Sequence, residues 1–354
     1  MTQTEIDGLH SLLDDTTISS EIFINWIKQG TVAEVPKPLE KLREYMMCCR
    51  IPSLFRIRPP SDYAIDEVTN SKFGLSRADK FNDPFDCLLY FDMDKLLKKI
   101  NGHLTSKNLK NSLQKRIGLN AITSETQRVI DMVMDNLAQK KECFLETVQK
   151  ELIKSVQLLQ QTTFVGCLTQ DITSPVIWSH YGESHAGFAI EYVLQPSFCV
   201  PHLCEGSDDN VEWCGWQSIL PVRYSDVRPD ATMLAEWFSF YELKRNTCRD
   251  ANKMDLPFPS PDLLLKTKLS LQKSKEWSYE KEWRVIISKE WPNFSKEERM
   301  YIRLEPTTLY LGERINKKWS DKLLGIAREK KLLVYEMYVD PQCVRYEMQH
   351  RRVL

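Results

Sequence analysis

Trp277-Ser278-Tyr279-Glu280-Lys281-Glu282-Trp283-Arg284-Val285-Ile286-Ile287 passes from aromatic and charged residues into a wholly apolar run. The β-branched end of this stretch reads as a buried strand, expected over Glu282–Ser288. Side chains two apart in a strand share a face, so Glu280, Glu282 and Arg284 are expected on one side. Two carboxylates set side by side between Trp277 and Trp283 repel each other, and partial burial adds to the strain. At least one of them should hold its proton more tightly than usual. Two readings stand here: a pair of working acids, or a salt-bridge ladder with Arg284 as its partner.

The same tests apply along the rest of the chain. Ser-Leu-Phe-Arg-Ile-Arg from Ser53 alternates like a half-buried strand and stops at Pro59-Pro60. A helix from about Asp62 to Asn70, a strand at Phe73–Ser76 and a strand at Leu88–Phe91 are expected next. Residues from about 93 to 160 read as helices. Ser124-Glu125-Thr126-Gln127 has capping-box spacing, and Ile130, Val133, Met134 and Leu137 recur at helical intervals. Strands follow at Thr163–Leu168, Gly187–Tyr192 and Leu220–Tyr224, then helices at Ala231–Arg245 and Asp262–Lys273. Beyond Ser288, strands are expected at Tyr301–Glu305, Thr308–Gly312, Leu332–Tyr338 and Val344–Met348, with a helix from Lys317 to Lys331. Strands and helices do not alternate regularly, which argues for an α+β fold rather than a doubly wound sheet.

The first fifty residues read as a peripheral extension and linker. Ser20 caps a short helix carrying Ile22, Phe23, Trp26 and Ile27, and Pro36 and Pro38 resist regular structure after it. Residues 51–354 then form one α+β domain, interrupted by the helical insertion at about 93–160.

The balance of 48 Lys and Arg against 49 Asp and Glu leaves a net charge of -1, so the whole chain is no polyelectrolyte partner for nucleic acid. A local basic groove remains open. No run of about twenty apolar residues is present, so no membrane span is expected. The acidic, interrupted start MTQTEIDGLHSLLDD does not read as an export signal. Ten cysteines without a repeated spacing then suit reduced thiols in a cytoplasmic protein. Cys199, His202, Cys204 and Cys214 lack the paired spacing of a zinc site, and no metal is expected.

Phosphate-binding Gly-Lys loops, dinucleotide Gly-rich fingerprints, Gly-x-Ser-x-Gly and His-Glu-x-x-His are all missing. The chemistry is concentrated in three separated segments. In the first, Arg56 and Arg58 stand on a strand ahead of Phe81-Asn82-Asp83-Pro84-Phe85-Asp86. Arginine beside Asn82 and Asp83 suits phosphate or ribose; alternatively Asn82 and Asp83 cap a turn set by Pro84. In the second, Trp178 and Tyr181 lie three apart on a short helix, either clamping a flat ring or filling core. His180 and His185 accompany them as acid–base groups or as structural histidines. The third is the stretch around Glu280 and Glu282.

These segments resemble a bacterial family known as domain of unknown function 2971. The carrying motifs are Leu54-Phe55-Arg56-Ile57-Arg58, Phe81-Asn82-Asp83-Pro84-Phe85-Asp86, Trp178-Ser179-His180-Tyr181-Gly182 with Gly187-Phe188-Ala189-Ile190-Glu191, and Tyr279-Glu280-Lys281-Glu282-Trp283-Arg284. The resemblance runs from about Leu54 to Gly312. An early arginine, an aromatic middle segment and a late Glu-x-Glu are also similar to the ADP-ribosyltransferase arrangement. That second resemblance implies a split or strongly bent mixed sheet flanked by helices, with NAD as substrate in the cleft. It implies Arg56 or Arg58 on the ribose or phosphates, Tyr181 or Trp178 on the nicotinamide, and Glu282 stabilising an oxocarbenium-like transition state. Glu280 would orient an acceptor group on a protein or nucleic acid, as in a toxin or phage-defence effector. The Ser-Thr-Ser stretch of arginine-modifying transferases is absent, with Cys167-Leu168-Thr169-Gln170 in its place.

Two other classes compete. A metal-dependent nuclease would use Asp83, Asp86, Glu280 and Glu282 to hold magnesium. A non-enzymatic sensor or interaction module would use the helical block and some of the nine tryptophans as a partner surface.

Overall fold

The computed structural model describes residues 1–17, 37–103, 124, 128, 141–194, 219–228, 230–233, 235–236, 262, 264–288 and 298–354. Its architecture is α+β, built on a mixed sheet that does not close.

Strand β1 (Leu54–Arg58) pairs along its whole length with β4 (Phe188–Tyr192), antiparallel, from Leu54↔Tyr192 to Arg58↔Phe188. Strand β3 (Thr163–Thr169) does the same with β8 (Glu282–Ser288), from Thr163↔Ser288 to Thr169↔Glu282. Where these two halves should meet, β1 and β3 share the single pair Phe55↔Thr169. The other end of β3 is held by β2 (Lys72–Arg77) through Ser76↔Val165 and Arg77↔Phe164. Among the described residues, Gly166, Cys167 and Leu168 therefore lack a ladder partner on that flank. The sheet splits there.

Beyond β4 lie β10 (Thr308–Leu311), its parallel neighbour β11 (Leu333–Tyr338) and the edge strand β12 (Gln349–Arg352); β9 (Arg299–Arg303) borders β2 at the other edge. Strand β5 (Ile219–Pro221) pairs with β8, while β6 (Arg223–Ser225) and β7 (Gln272–Ser274) form a separate parallel pair.

Alternation along the strands sorts the core. Phe188, Ile190 and Tyr192 of β4 face one way and Ala189 the other. On the first face, Ile65 and Val68 of the helix Asp62–Thr69 and Leu323 and Ala327 of the helix Lys317–Lys330 pack with Leu309 and Val334. Ser61 starts the first of these helices by accepting from the Ala64 N–H at 3.2 Å, and Asn316 starts the second by accepting from Trp319 at 3.1 Å. The second face carries Phe55, Ile57, Ile177 and Trp178.

Several expectations are corrected. The described N-terminal residues join the core rather than lying at its periphery. A helix over Gln3–Asp14, started by a Thr2/Glu5 capping box, buries Leu9 and Leu13 with Leu42, Leu220 and Ile286. The expected linker continues into a helix over Lys37–Cys48, because Pro38 falls in its first turn, where no intrahelical N–H bond is lost. Leu88–Phe91 is not a strand; Tyr90 makes one bridge to Asp230, and Leu89 packs on Val156 and Leu159. The last strand is Gln349–Arg352, not Val344–Met348, whose Val344 and Tyr346 are almost fully exposed. Of the helical block, Met93–His103 and Lys141–Thr162 are described as helices and Ser124 as helical. Ile130, Val133, Met134 and Leu137, the helix from Ser20, most of Ala231–Arg245, and Cys199, His202, Cys204 and Cys214 lie outside the described residues. No described helix is long and apolar enough to cross a membrane.

One glycine lies at the split and packs directly against a core ring. A Cβ at Gly166 would sit 2.2 Å from the Phe73 ring, which is fully buried. Gly166→Ala is expected to cost about 1–3 kcal/mol by overpacking, read as a lower denaturation midpoint at unchanged slope. A stability equal to wild type would show that Phe73 can move freely.

Candidate active site

The cleft at the split has a volume of about 210 Å³ and touches all three sequence segments. Arg56 and Arg58 come from β1, Asn82 and Asp86 from the Phe81–Asp86 loop, and Tyr181, Glu280 and Glu282 from the later segments.

The two arginines differ. Arg58 donates through Nε and Nη2 to Glu67 at 2.9 and 2.8 Å, a fork that occupies it. Arg56 has its guanidinium carbon over Phe73, 4.2 Å from the ring centroid, with Glu67 at 3.6 Å from its Nη2. Its side chain is 10% exposed, and its Nη1 is buried with no hydrogen-bond partner among the described residues. A buried, unpartnered guanidinium nitrogen is costly unless something else supplies an acceptor. Of the two arginines on the cleft wall, Arg56 is the one with an unpartnered guanidinium nitrogen among the described residues.

Asn82 is exposed at the cleft. Asp83 is not on its wall; its Oδ1 accepts from the Phe85 N–H at 2.9 Å, capping its own turn. Trp178 is fully buried, with its indole N–H bonded to the Ile172 carbonyl at 2.7 Å, and belongs to the core. Tyr181, at the end of a helix over Pro175–Tyr181 capped by Ser174, does reach the cleft and donates its hydroxyl to Glu280 Oε1 at 2.5 Å. His180 bonds Tyr279 at 3.1 Å, and neither His180 nor His185 lines the cleft.

Glu280 and Glu282 come together by a route the strand argument did not foresee. Glu280 closes a 3-10 turn over Lys275–Glu280, and Lys281 takes a left-handed conformation with φ 43° before β8 begins at Glu282. Thr169 fixes the turn by donating to the Glu280 carbonyl at 2.6 Å. The two carboxylates then meet at a third residue, Lys273, whose Nζ donates to Glu280 at 2.7 Å and to Glu282 at 3.1 Å.

Arg284, fully buried, ties this pair to the Phe81–Asp86 loop. It donates to Asp86 at 2.8 and 2.6 Å and to Glu282 at 2.8 and 3.2 Å. Burial would raise the Glu282 pKa, but Arg284 and then Lys273 outweigh it and bring it down to about 2. Glu280 moves the other way, raised chiefly by burial and by Glu282 against the pull of Lys273. Although Cys167 is exposed at the cleft wall, crowding around its thiol and then the Glu282 carboxylate push it well above its usual range. The site therefore holds one firmly ionised carboxylate and one with heightened proton affinity. In the magnesium reading, the oxygens of Asp86, Glu280 and Glu282 already accept hydrogen bonds from Arg284, Lys273 and Tyr181, donors that a metal ion would have to displace.

Sequence reasoning missed Lys273 and Glu67. Neither sits in a motif; the only signal for Lys273 was the need of two buried carboxylates for a cation.

The class these features define is an α+β fold with a split mixed sheet and a buried carboxylate–cation cluster in the split. Residues 177–285 match the family model described as Protein of unknown function (DUF2971). The match takes in Tyr181 and the Glu280–Arg284 stretch and leaves out β1 and the Phe81–Asp86 loop. No curated protein and no solved structure matches the chain.

Proposed function

We propose that the cleft takes the nicotinamide–ribose end of NAD and that the protein is an ADP-ribosyltransferase acting on a protein or nucleic-acid group, in the manner of a bacterial toxin or phage-defence effector. The observation that carries this reading is the pairing, in one split-sheet cleft, of Arg56, whose Nη1 has no hydrogen-bond partner among the described residues, with the Glu280/Glu282 carboxylates. The volume of about 210 Å³ lies below the roughly 300–1,000 Å³ of drug-sized pockets. It suits one end of a dinucleotide.

In this reading Arg56 donates to a ribose or phosphate oxygen. Tyr181 supplies the ring beside the nicotinamide. The glycosidic carbon–nitrogen bond breaks with its electron pair leaving on nicotinamide. Glu282, held ionised, stabilises the positive charge that develops on the ribose. An acceptor oxygen or nitrogen then bonds the anomeric carbon and releases its proton to Glu280, the carboxylate with the greater proton affinity.

Calorimetry with NAD tests this. The wild type should bind, and Arg56→Ala should bind about 10–100-fold more weakly, the loss expected for a hydrogen bond from a charged donor. Glu280→Gln should retain binding while losing turnover. No heat and no thermal shift at saturating NAD would remove the reading.

A further inference from the structure

Lys273 is buried in the short strand β7, where its backbone is registered against Tyr224 of β6. Its ammonium lies 4.7 Å from the centroid of Trp277 and donates to Glu280 and Glu282. All three side chains are at most 7% exposed. Glu280 and Glu282 stand on different elements, separated by the left-handed Lys281, so no continuous secondary structure holds them parallel.

Their other neighbours do not replace Lys273. Glu282 is also held by Arg284. Among the described residues, Glu280 receives only a neutral donor besides Lys273, the Tyr181 hydroxyl. Cys167 of β3 and Tyr224 of β6 approach the pair with neutral groups, and Tyr279 flanks Glu280 in the turn. Asp86 lies behind Arg284 and adds a further negative charge. Two cations, Lys273 and Arg284, thus face three carboxylates, and Glu280 depends on Lys273.

We propose that Lys273 is the positioning residue of this cleft, its ammonium holding Glu280 beside Glu282 and keeping both as carboxylates. The proposal rests on the reading of the cleft as the ligand site. Without the ammonium, two desolvated carboxylates at this spacing repel, and Glu280 relieves the repulsion by taking a proton. A protonated Glu280 can neither accept the proton of an attacking group nor lend its charge to the cleft.

The test is the infrared band of protonated carboxylic acid, titrated through neutral pH in wild type, Lys273→Met and Lys273→Arg. Lys273→Met keeps an unbranched side chain of similar length and removes the charge. It is expected to raise the proton affinity of one carboxyl about a hundredfold or more, giving a band at neutral pH that disappears in Lys273→Met/Glu280→Gln. Lys273→Arg should behave as wild type. A folded Lys273→Met with the wild-type titration overturns the proposal. Should Lys273→Met not fold, the double variant decides: folding supports the proposal, because no unpartnered carboxylate remains at Glu280, and failure to fold overturns it. NAD calorimetry on the wild type fails or succeeds separately, so loss of the NAD reading leaves the infrared result intact.

Discussion

Arg284→Met is expected to cost about 3–5 kcal/mol of folding stability, the range found when one partner of a buried ion pair is removed. All five N–H groups of the Arg284 guanidinium are used. Nε and one Nη2 hydrogen go to Glu282, Nη1 and the other Nη2 hydrogen go to Asp86, and the second Nη1 hydrogen goes to the Ser270 carbonyl at 2.7 Å. The side chain has no exposure, and the Asp86 and Glu282 side chains have 3% and 4%. Methionine fills much of the volume but leaves Asp86 without a cation and Glu282 with Lys273 alone. Against a typical total of about 5–15 kcal/mol, such a loss leaves the fold marginal. Lysine is no substitute, since three ammonium donors cannot replace the five that Asp86, Glu282 and Ser270 receive from the guanidinium. Guanidinium denaturation measures the loss as a lower midpoint at unchanged slope, and adding Asp86→Asn should return part of it. A loss under about 1 kcal/mol would mean that water reaches these carboxylates and that the network is not the tie between the Phe81–Asp86 loop and β8.

That tie explains how far the sequence could be read. Leu54–Arg58 and Glu282–Ser288 are legible as strands from alternation and a β-branched run, although Leu54–Arg58, read as half-buried, is buried on both faces from Leu54 to Ile57. Leu88–Phe91 carries the same apolar signal for another reason: Leu89 covers the helix residues Val156 and Leu159, and an apolar run does not say whether its partner is a strand or a helix. At the other end, Gln349–Arg352 is an edge strand whose mostly exposed polar residues hide it from a hydrophobic scan, while the apolar Val344 and Tyr346 beside it are exposed loop. In the site, the motif residues Arg56, Tyr181, Glu280 and Glu282 stood out because their types are unusual beside apolar strands. Glu67 and Lys273 did not. Their roles arise from packing between segments: Glu67 faces β1 from a helix, and Lys273 is placed by a three-residue pairing with β6. Trp178 shows the converse, since spacing put it on the face of Tyr181 but one turn of helix separates core from cleft.

The Glu282 carboxylate should make the protein lose stability in acid. Its pKa is about 2 in the folded state against an ordinary 4.5, so between these values the unfolded chain binds the proton that the folded one refuses. The stabilisation is fully present above about pH 4.5 and is lost as pH falls through about 2. The span from 4.5 to about 2 corresponds to about 3 kcal/mol. Glu280 contributes with the opposite sign. Its folded pKa is raised, so its effect favours folding at low pH and is lost as pH rises through the folded value. The raw acid profile therefore mixes two terms, and the informative quantity is the difference between wild type and Glu282→Gln. Denaturation across the acid range should show that difference narrowing by about 3 kcal/mol as pH drops, because glutamine has no proton to take up. Parallel profiles would mean that Arg284 and Lys273 do not hold Glu282 ionised. The cleft would then lack the fixed negative charge on which stabilisation of a developing cation depends, and Glu282 would have no better claim to that role than Glu280.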